Sequence, residues 1–329
     1  MQLDGLSDEE GSKGEGTSRR RVIVAFAFAV VTMGATFLLA RRLTNTSWPL
    51  QRAHKGLVAG AVALYFSSYV LRALGWQKLF PASRRPGRSR CLTACGAAAA
   101  SGVILPFRLD YLVKIGTLRR MPGVKLGLEA IALSIISLGL VDAVAFLPLS
   151  ISATATTSSS FRLPLVGVVL FGIGACGVLV TGRHLGRLGF VKSRARVAKL
   201  VEKVASRPGG TVNDAILAWV YLLGCWTTRA TGSMLLLDAL GAGFSPTIAL
   251  IVLCVASAAA LIPITSGGAV ANVGATAAVL LALGVHREQA INFGLASGLL
   301  LCTTAAIAAV VGLGASFAAS RLALARAAA

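Results

Sequence analysis

Residues 248–284 read IALIVLCVASAAALIPITSGGAVANVGATAAVLLALG, 37 positions without a charged side chain. The stretch is long enough for two short limbs. Its centre, Ile262-Pro263-Ile264-Thr265-Ser266-Gly267-Gly268, does not continue a helix, because Pro removes a backbone donor and paired Gly makes helical order costly. The pattern predicts a helical hairpin that turns at membrane depth. Backbone freed by such a turn is tolerated in hydrocarbon only where protein or a water-filled cavity satisfies its N–H and C=O groups. A second segment behaves similarly: 92–105 has 14 residues, short of the roughly 20 that a spanning helix needs. It ends at Pro106, with Arg108 and Asp110 just beyond, and reads as a re-entrant half-helix.

The rest of the chain sets these two segments in a membrane. Of 329 residues 56% are hydrophobic and 13% charged, with a mean hydropathy of +0.78, whereas an ordinary soluble domain carries about 25% charged residues. The composition excludes a soluble domain, a disordered chain and a disulfide scaffold. A transmembrane β-barrel is excluded as well, because the apolar residues come in unbroken blocks rather than alternating. Full spans are expected at 22–40, 56–75, 126–147, 163–181, 212–237 and 289–313. The first of these is too long for a signal-peptide core and is followed by Arg41 and Arg42 rather than a cleavage site. The expected fold is an all-α polytopic membrane helix bundle of six full spans plus two re-entrant hairpins.

The net charge of +20 would suggest nucleic acid in a soluble protein; here it has its origin in the basic loops that set topology, and no nucleic-acid partner is expected. With the N-terminus inside, 24 Lys and Arg fall in cytoplasmic segments against 6 outside, leaving Arg72 and Arg229 within spans. Both termini are therefore expected in the cytoplasm. The organisation that follows is a disordered tail at 1–18, a first membrane repeat at 19–147, an external loop at 148–162, a second repeat at 163–315 and a C-terminal tail at 316–329. Within the second repeat, 183–211 interleaves Leu and Val with Arg and Lys, as a basic amphipathic helix on an anionic leaflet does. The order span, span, re-entrant hairpin, span occurs twice, and three crossings per unit invert the second unit. In inverted-repeat transporters the broken helices meet near the midplane and form the substrate site.

Candidate chemistry lies at the breaks and within the spans. Arg108, Asp110 and, about one turn on, Lys114 make a charged cluster at the Pro106 break that suits a lipid phosphate, Arg offering a bidentate contact and Lys a point charge. For Arg119, Arg120 and Lys125 an ordinary inside-positive loop is preferred. Thr265, Gly267 and Gly268, beyond the Pro263 break, offer backbone N–H groups to an anion. Among ionisable residues in the spans, Glu129 and Asp238 are near enough to helix ends to snorkel. Asp142 and Arg229 sit deeper and mark a pathway or an ion pair. The six cysteines read as core packing and the three histidines fall in separate loops, so no disulfide, metal or cofactor is assigned. No catalytic triad, Walker loop or dinucleotide fingerprint is present, and no enzymatic activity is expected.

Leu105-Pro106-Phe107-Arg108-Leu109-Asp110, the span with Asp142, and Leu261 to Gly268 together resemble the lysylphosphatidylglycerol synthase transmembrane region family of flippase-like membrane proteins, over most of residues 20–315. The resemblance implies a bacterial inner-membrane protein handling anionic lipid headgroups, in company with an envelope-lipid biosynthetic enzyme. It lends candidate roles to Arg108, Asp110, Asp142, Pro263, Thr265, Gly267 and Gly268. The chain departs from the family's pattern at Leu109-Asp110, where a Gly-Glu pair is common, at Gly139, where an Arg is usual, and at Asn272 and Val273, near the place of a Glu. No acyltransferase-like domain follows, so lysyl transfer by this polypeptide is not expected. The function expected is translocation or shielding of a charged phospholipid or polyprenyl-linked headgroup between leaflets. A small-solute secondary transporter, a scaffold for envelope enzymes and an intramembrane lipid-modifying enzyme are the alternatives.

Overall fold

The computed structural model describes residues 48–102, 105, 109–121, 124, 126–157, 159–185, 211–259 and 268–328. The expected span at 22–40 and most of the basic loop, 186–210, lie outside the described residues. Among the described residues there are nine α-helices and no strands: α1 (Lys55–Lys78), α2 (Arg88–Gly102), α3 (Asp110–Arg120), α4 (Leu128–Thr156), α5 (Ser159–Leu185), α6 (Val212–Ala239), α7 (Pro246–Ala259), α8 (Gly268–Ala282) and α9 (Arg287–Ala328). Four segments, in α1, α4, α5 and α9, are long and apolar enough to cross a membrane. Helix α6 has 28 residues, and it carries Asp214, Arg229 and Asp238.

Local chemistry explains the boundaries. The Thr211 side chain caps α6 by accepting from the Asp214 backbone N–H at 3.2 Å. Ser245 Oγ does the same for Ile248 at 3.3 Å, one residue before Pro246 opens α7. At the turn from α8 into α9, Gly284 has a φ of +83°, which a side chain would resist. Helix α2 starts at Arg88, earlier than the apolar run that announces it. The segment 148–162, expected as a loop, is largely helical: α4 continues through Pro148 to Thr156 and α5 begins at Ser159. Its hydroxyls turn back onto the helix, Ser152 and Thr154 donating to the carbonyls of Pro148 and Ser150 at 2.9 and 2.7 Å, so its polarity needs no solvent loop. The expected C-terminal tail likewise continues α9 as an Ala-rich helix.

Helices α1 and α6 run antiparallel along the middle of the bundle. One end is pinned by Lys78 and Arg85, which form ion pairs with Asp214 at 3.3 and 2.9 Å, and the other by His54 N–H donating to the Ala239 carbonyl at 3.0 Å. Between them, a Cβ on Gly75 would stand 3.2 Å from the Ala218 carbonyl and 3.1 Å from Leu222, and one on Gly232 would stand 3.5 Å from the Ala61 carbonyl and 3.0 Å from Tyr65. Adding 157 to a residue number in α1 carries one set onto the other: Gly75 to Gly232, Ala61 to Ala218, Tyr65 to Leu222. The same step takes each of the seven buried residues of α1, from Ala61 to Trp76, onto a buried residue of α6, and takes Pro106 to Pro263.

The packing partners follow the same exchange. Short helices α2 and α3 pack on one another, as do α7 and α8; α1 and α6 pack against α2 and α7; α2 lies on α9 as α7 lies on α4; α3 and α8 lie on α4 and α9. Swapping α1 with α6, α2 with α7, α3 with α8 and α4 with α9 turns every one of these pairs into another. The seam of α2 with α9 is built on small residues. A Cβ on Gly96 would come within 2.5 Å of the Ala305 carbonyl and the Ala309 nitrogen, so two backbones meet there directly.

Candidate functional site

A helix that buries an ionisable residue at mid-length must supply its partner from another helix. Asp142 is the fifteenth of the 29 residues of α4, about 21 Å from either end at 1.5 Å per residue. Both of its carboxylate oxygens are engaged. Arg72 Nη2 on α1 donates to Oδ2 at 2.6 Å, and Trp226 Nε1 on α6 donates to Oδ1 at 2.8 Å. The Asp142 side chain keeps 11% exposure and that of Arg72 25%, so this is a charge-assisted contact largely removed from solvent. Phe146, one turn along α4, packs its ring 4.5 Å from that of Trp226 and holds the indole in place.

Three cations gather around this carboxylate and the aromatic rings beside it. Arg72 stands 6.0 Å from the Trp226 ring centroid. Arg229 stands 5.5 Å from the same ring and 5.2 Å from that of Tyr69, and its Nε donates to Ser68 Oγ at 3.1 Å. Lys114 on α3 is buried, with its ammonium 4.1 Å above the ring of Trp76, and lies within Coulombic reach of Arg72 and Asp142. Trp76 in turn donates to Ser134 Oγ at 3.0 Å, which ties α1 to α4. Aromatic faces accept cations where water is scarce. Ring faces do not neutralise charge, however, and among the described residues Asp142 is the carboxylate that does. The cluster is therefore net positive.

The structure brings together Lys114, Asp142 and Arg229 from the sequence-based candidates. Of the two arginines in the spans, it is Arg72 of α1 and not Arg229 of α6 that pairs with Asp142. Asp110 opens α3 beside Gly102, whose Cβ would lie 3.4 Å from that of Asp110, so the two short helices meet at their linked ends. Gly268 opens α8. Pro106, Arg108, Pro263, Thr265 and Gly267 lie outside the described residues. Glu129, in the first turn of α4, is exposed, in keeping with a snorkelling side chain. Sequence reasoning passed over Arg72, Trp226, Tyr69 and Trp76. An arginine in an otherwise uncharged span and an aromatic residue three positions before it were the available signals.

The match to known families agrees with this picture. The family described as Lysylphosphatidylglycerol synthase TM region matches residues 22–309, most of the chain. No curated protein and no solved structure shows a significant match. A multi-pass helical membrane protein that gathers charge in its interior, and whose sequence fits that family over nearly its whole length, belongs to the lysylphosphatidylglycerol synthase TM region family, a family associated with lipid handling.

Proposed function

We propose that this protein moves anionic lipid headgroups between leaflets, or shields them on the way, by drawing the headgroup phosphate to the net positive cluster of Arg72, Lys114 and Arg229 around Asp142. The observation that carries the reading is three cations against one carboxylate, held by helices α1, α3, α4 and α6 inside the bundle. Intramembrane charges of this kind are costly and mark pathways. The excess positive charge selects an anion, and Arg and Lys together suit a phosphate diester. The acyl chains stay in lipid while the headgroup enters the bundle.

The packing exchange between the two halves supports an inverted repeat, in which α2 with α3 makes the first re-entrant hairpin, entered by 92–106, and α7 with α8 the second, at 248–284. Alternating exposure of the cluster to the two leaflets then amounts to rocking of one half against the other. Both termini and 183–211 belong on the cytoplasmic side of a bacterial inner membrane, in line with the 24 to 6 basic bias. The meeting of Lys78, Arg85 and Asp214 fits this orientation, since their segments are expected on that face. Arg108, oriented by Asp110 at the mouth of the first hairpin, hands the phosphate to Lys114, and Thr265, Gly267 and Gly268 offer backbone donors at the second. The chain performs no covalent chemistry on the lipid and serves an enzyme that makes it. Reconstitution with labelled phosphatidylglycerol tests this reading. Protein-containing vesicles should equilibrate the label between leaflets faster than protein-free ones and leave it chemically unchanged. Transfer at the protein-free rate, or a modified lipid, would contradict it.

A further inference from the structure

The two halves carry the same device with one part exchanged. Tyr69-x-x-Arg72-Ala73-x-Gly75 on α1 becomes Trp226-x-x-Arg229-Ala230-x-Gly232 on α6, each residue displaced by 157. Gly75 and Gly232 make equivalent close approaches, so Arg72 and Arg229 occupy equivalent places and Tyr69 is the counterpart of Trp226. The environment of Trp226 includes Asp142 of α4, to which its indole N–H donates. Tyr69 turns its hydroxyl to the matching helix, α9, donating to the Leu301 carbonyl at 3.0 Å, and the adjacent Cys302 lies within Coulombic reach of the phenol. The same step of 157 takes Asp142 to Leu299 on α9, so the second half has no carboxylate at the corresponding place. An apolar side chain has replaced the carboxylate.

The consequence falls on the arginines. Arg72 has its counter-ion inside the protein. Arg229 has a hydroxyl and two ring faces, and among the described residues no carboxylate lies within ion-pair distance of it. A guanidinium at membrane depth without a counter-ion draws an anion to itself. Its fork of N–H donors matches the oxygens of a phosphate, and only Nε is committed to Ser68 in the contacts described above.

We propose that Arg229 is the residue that receives the phosphate of an anionic lipid, and that the loss of the carboxylate from the second half is what keeps it open. The inference deepens the functional reading above and rests on it for the lipid. Its own content is which arginine binds, which is an equilibrium property and is measured without transport.

The test is retention of dioleoyl phosphatidylglycerol by the full-length purified protein in native mass spectrometry, with dioleoyl phosphatidylcholine as the neutral comparison. Arg229→Gln should lower retained phosphatidylglycerol about tenfold, the loss expected for one charge-assisted contact, and leave the weaker phosphatidylcholine signal unchanged. Cys302→Asp should do the same by placing a carboxylate next to Leu301, whose carbonyl accepts from the Tyr69 on which Arg229 rests, and Cys302→Asn, of the same size as that Asp and uncharged, should retain lipid as the wild type does. A purely structural arginine would be stabilised by the new aspartate with no change in retention, which would overturn the proposal. Wild-type retention in Arg229→Gln would overturn it too, even if Cys302→Asp fails to fold. Millimolar inorganic phosphate should compete poorly; displacement of the lipid by free phosphate would overturn the lipid assignment and point to a soluble anion. Intact Arg229-dependent retention with no leaflet transfer would leave this inference standing and remove the transport reading.

Discussion

Arg72 and Arg229 sit at equivalent points of two halves that share packing partners and burial, and they live differently. One is locked to Asp142 at 2.6 Å; the other leans on Ser68 and on the faces of Tyr69 and Trp226. The difference separates two uses of charge in a membrane. A paired arginine joins helices, because its removal leaves a bare partner in a poor solvent. An arginine held by rings is oriented without being neutralised, and it stays available to something that comes and goes.

The largest effect that would break or sharpen this contrast is loss of the carboxylate. Asp142→Ala strands Arg72 and should destabilise the protein by about 3–5 kcal/mol, as breaking a buried pair does. Arg229→Gln should cost only ~1 kcal/mol, the worth of a cation–π contact and one hydrogen bond. Unfolding in titrated denaturing detergent compares the two, and equal losses would mean that the arginines are not used differently. Next comes the seam that each half makes with the other's long helix. Gly96→Leu forces α2 off α9, where a Cβ already meets backbone at 2.5 Å, and should cost ~3 kcal/mol. It would show as loss of the monodisperse peak in size exclusion. The counterpart 157 residues on is Leu253, already a large side chain at 9% exposure, so that seam is filled by side chains rather than by backbone. Leu253→Ala should therefore leave a cavity costing ~2 kcal/mol.

Where the halves agree, substitutions should agree. Gly75→Ala and Gly232→Ala press a methyl against equivalent carbonyls and against Leu222 and Tyr65. Tyr65 is held by Ser233 at 3.2 Å and has little room to retreat. Each change should lower stability by about 1 kcal/mol, within ~0.5 kcal/mol of the other. Thermal unfolding of the pair measures whether the correspondence is energetic as well as geometric. The smallest effect belongs to the ion pairs at the end of the α1 and α6 interface. Lys78→Gln should cost under ~1 kcal/mol, since Arg85 still faces Asp214 and the site is partly solvated. That loss should shrink further in high salt.

Much of this architecture was legible in the sequence, for identifiable reasons. Apolar runs of the right length marked α1, α4, α5 and α9, and Pro with paired Gly separated the two apolar limbs that hold α7 and α8. Charged and polar ends were less legible. Arg88 and Arg90 belong to the first turn of α2, and the hydroxyls after Pro148 bond back to their own helix, so polarity there did not mean loop. Within the candidate site, Asp142 and Arg229 stood out as charges in apolar spans, and Lys114 as part of the charged cluster after Pro106. The partner of Asp142 did not, because Arg72 is 70 positions away and its nearness depends on how α1 and α4 pack. Spacing along one helix carries no such information. The repeated aromatic-x-x-Arg-Ala-x-Gly was present in the letters, but its meaning needed the burial and close approaches of both copies.

The most direct test of the central claim, that a net positive cluster inside the bundle handles anionic headgroups, is the leaflet-equilibration rate of labelled phosphatidylglycerol in vesicles containing Lys114→Gln. Lys114 is buried against Trp76 rather than in the Arg72 pair, so its charge can be removed while the Asp142 contacts remain. The account predicts that transfer falls at least about tenfold, the scale of one charge-assisted contact, with the melting temperature kept and with the Arg119→Gln control at the wild-type rate. Wild-type transfer in Lys114→Gln, or an equal fall in both variants, would contradict it.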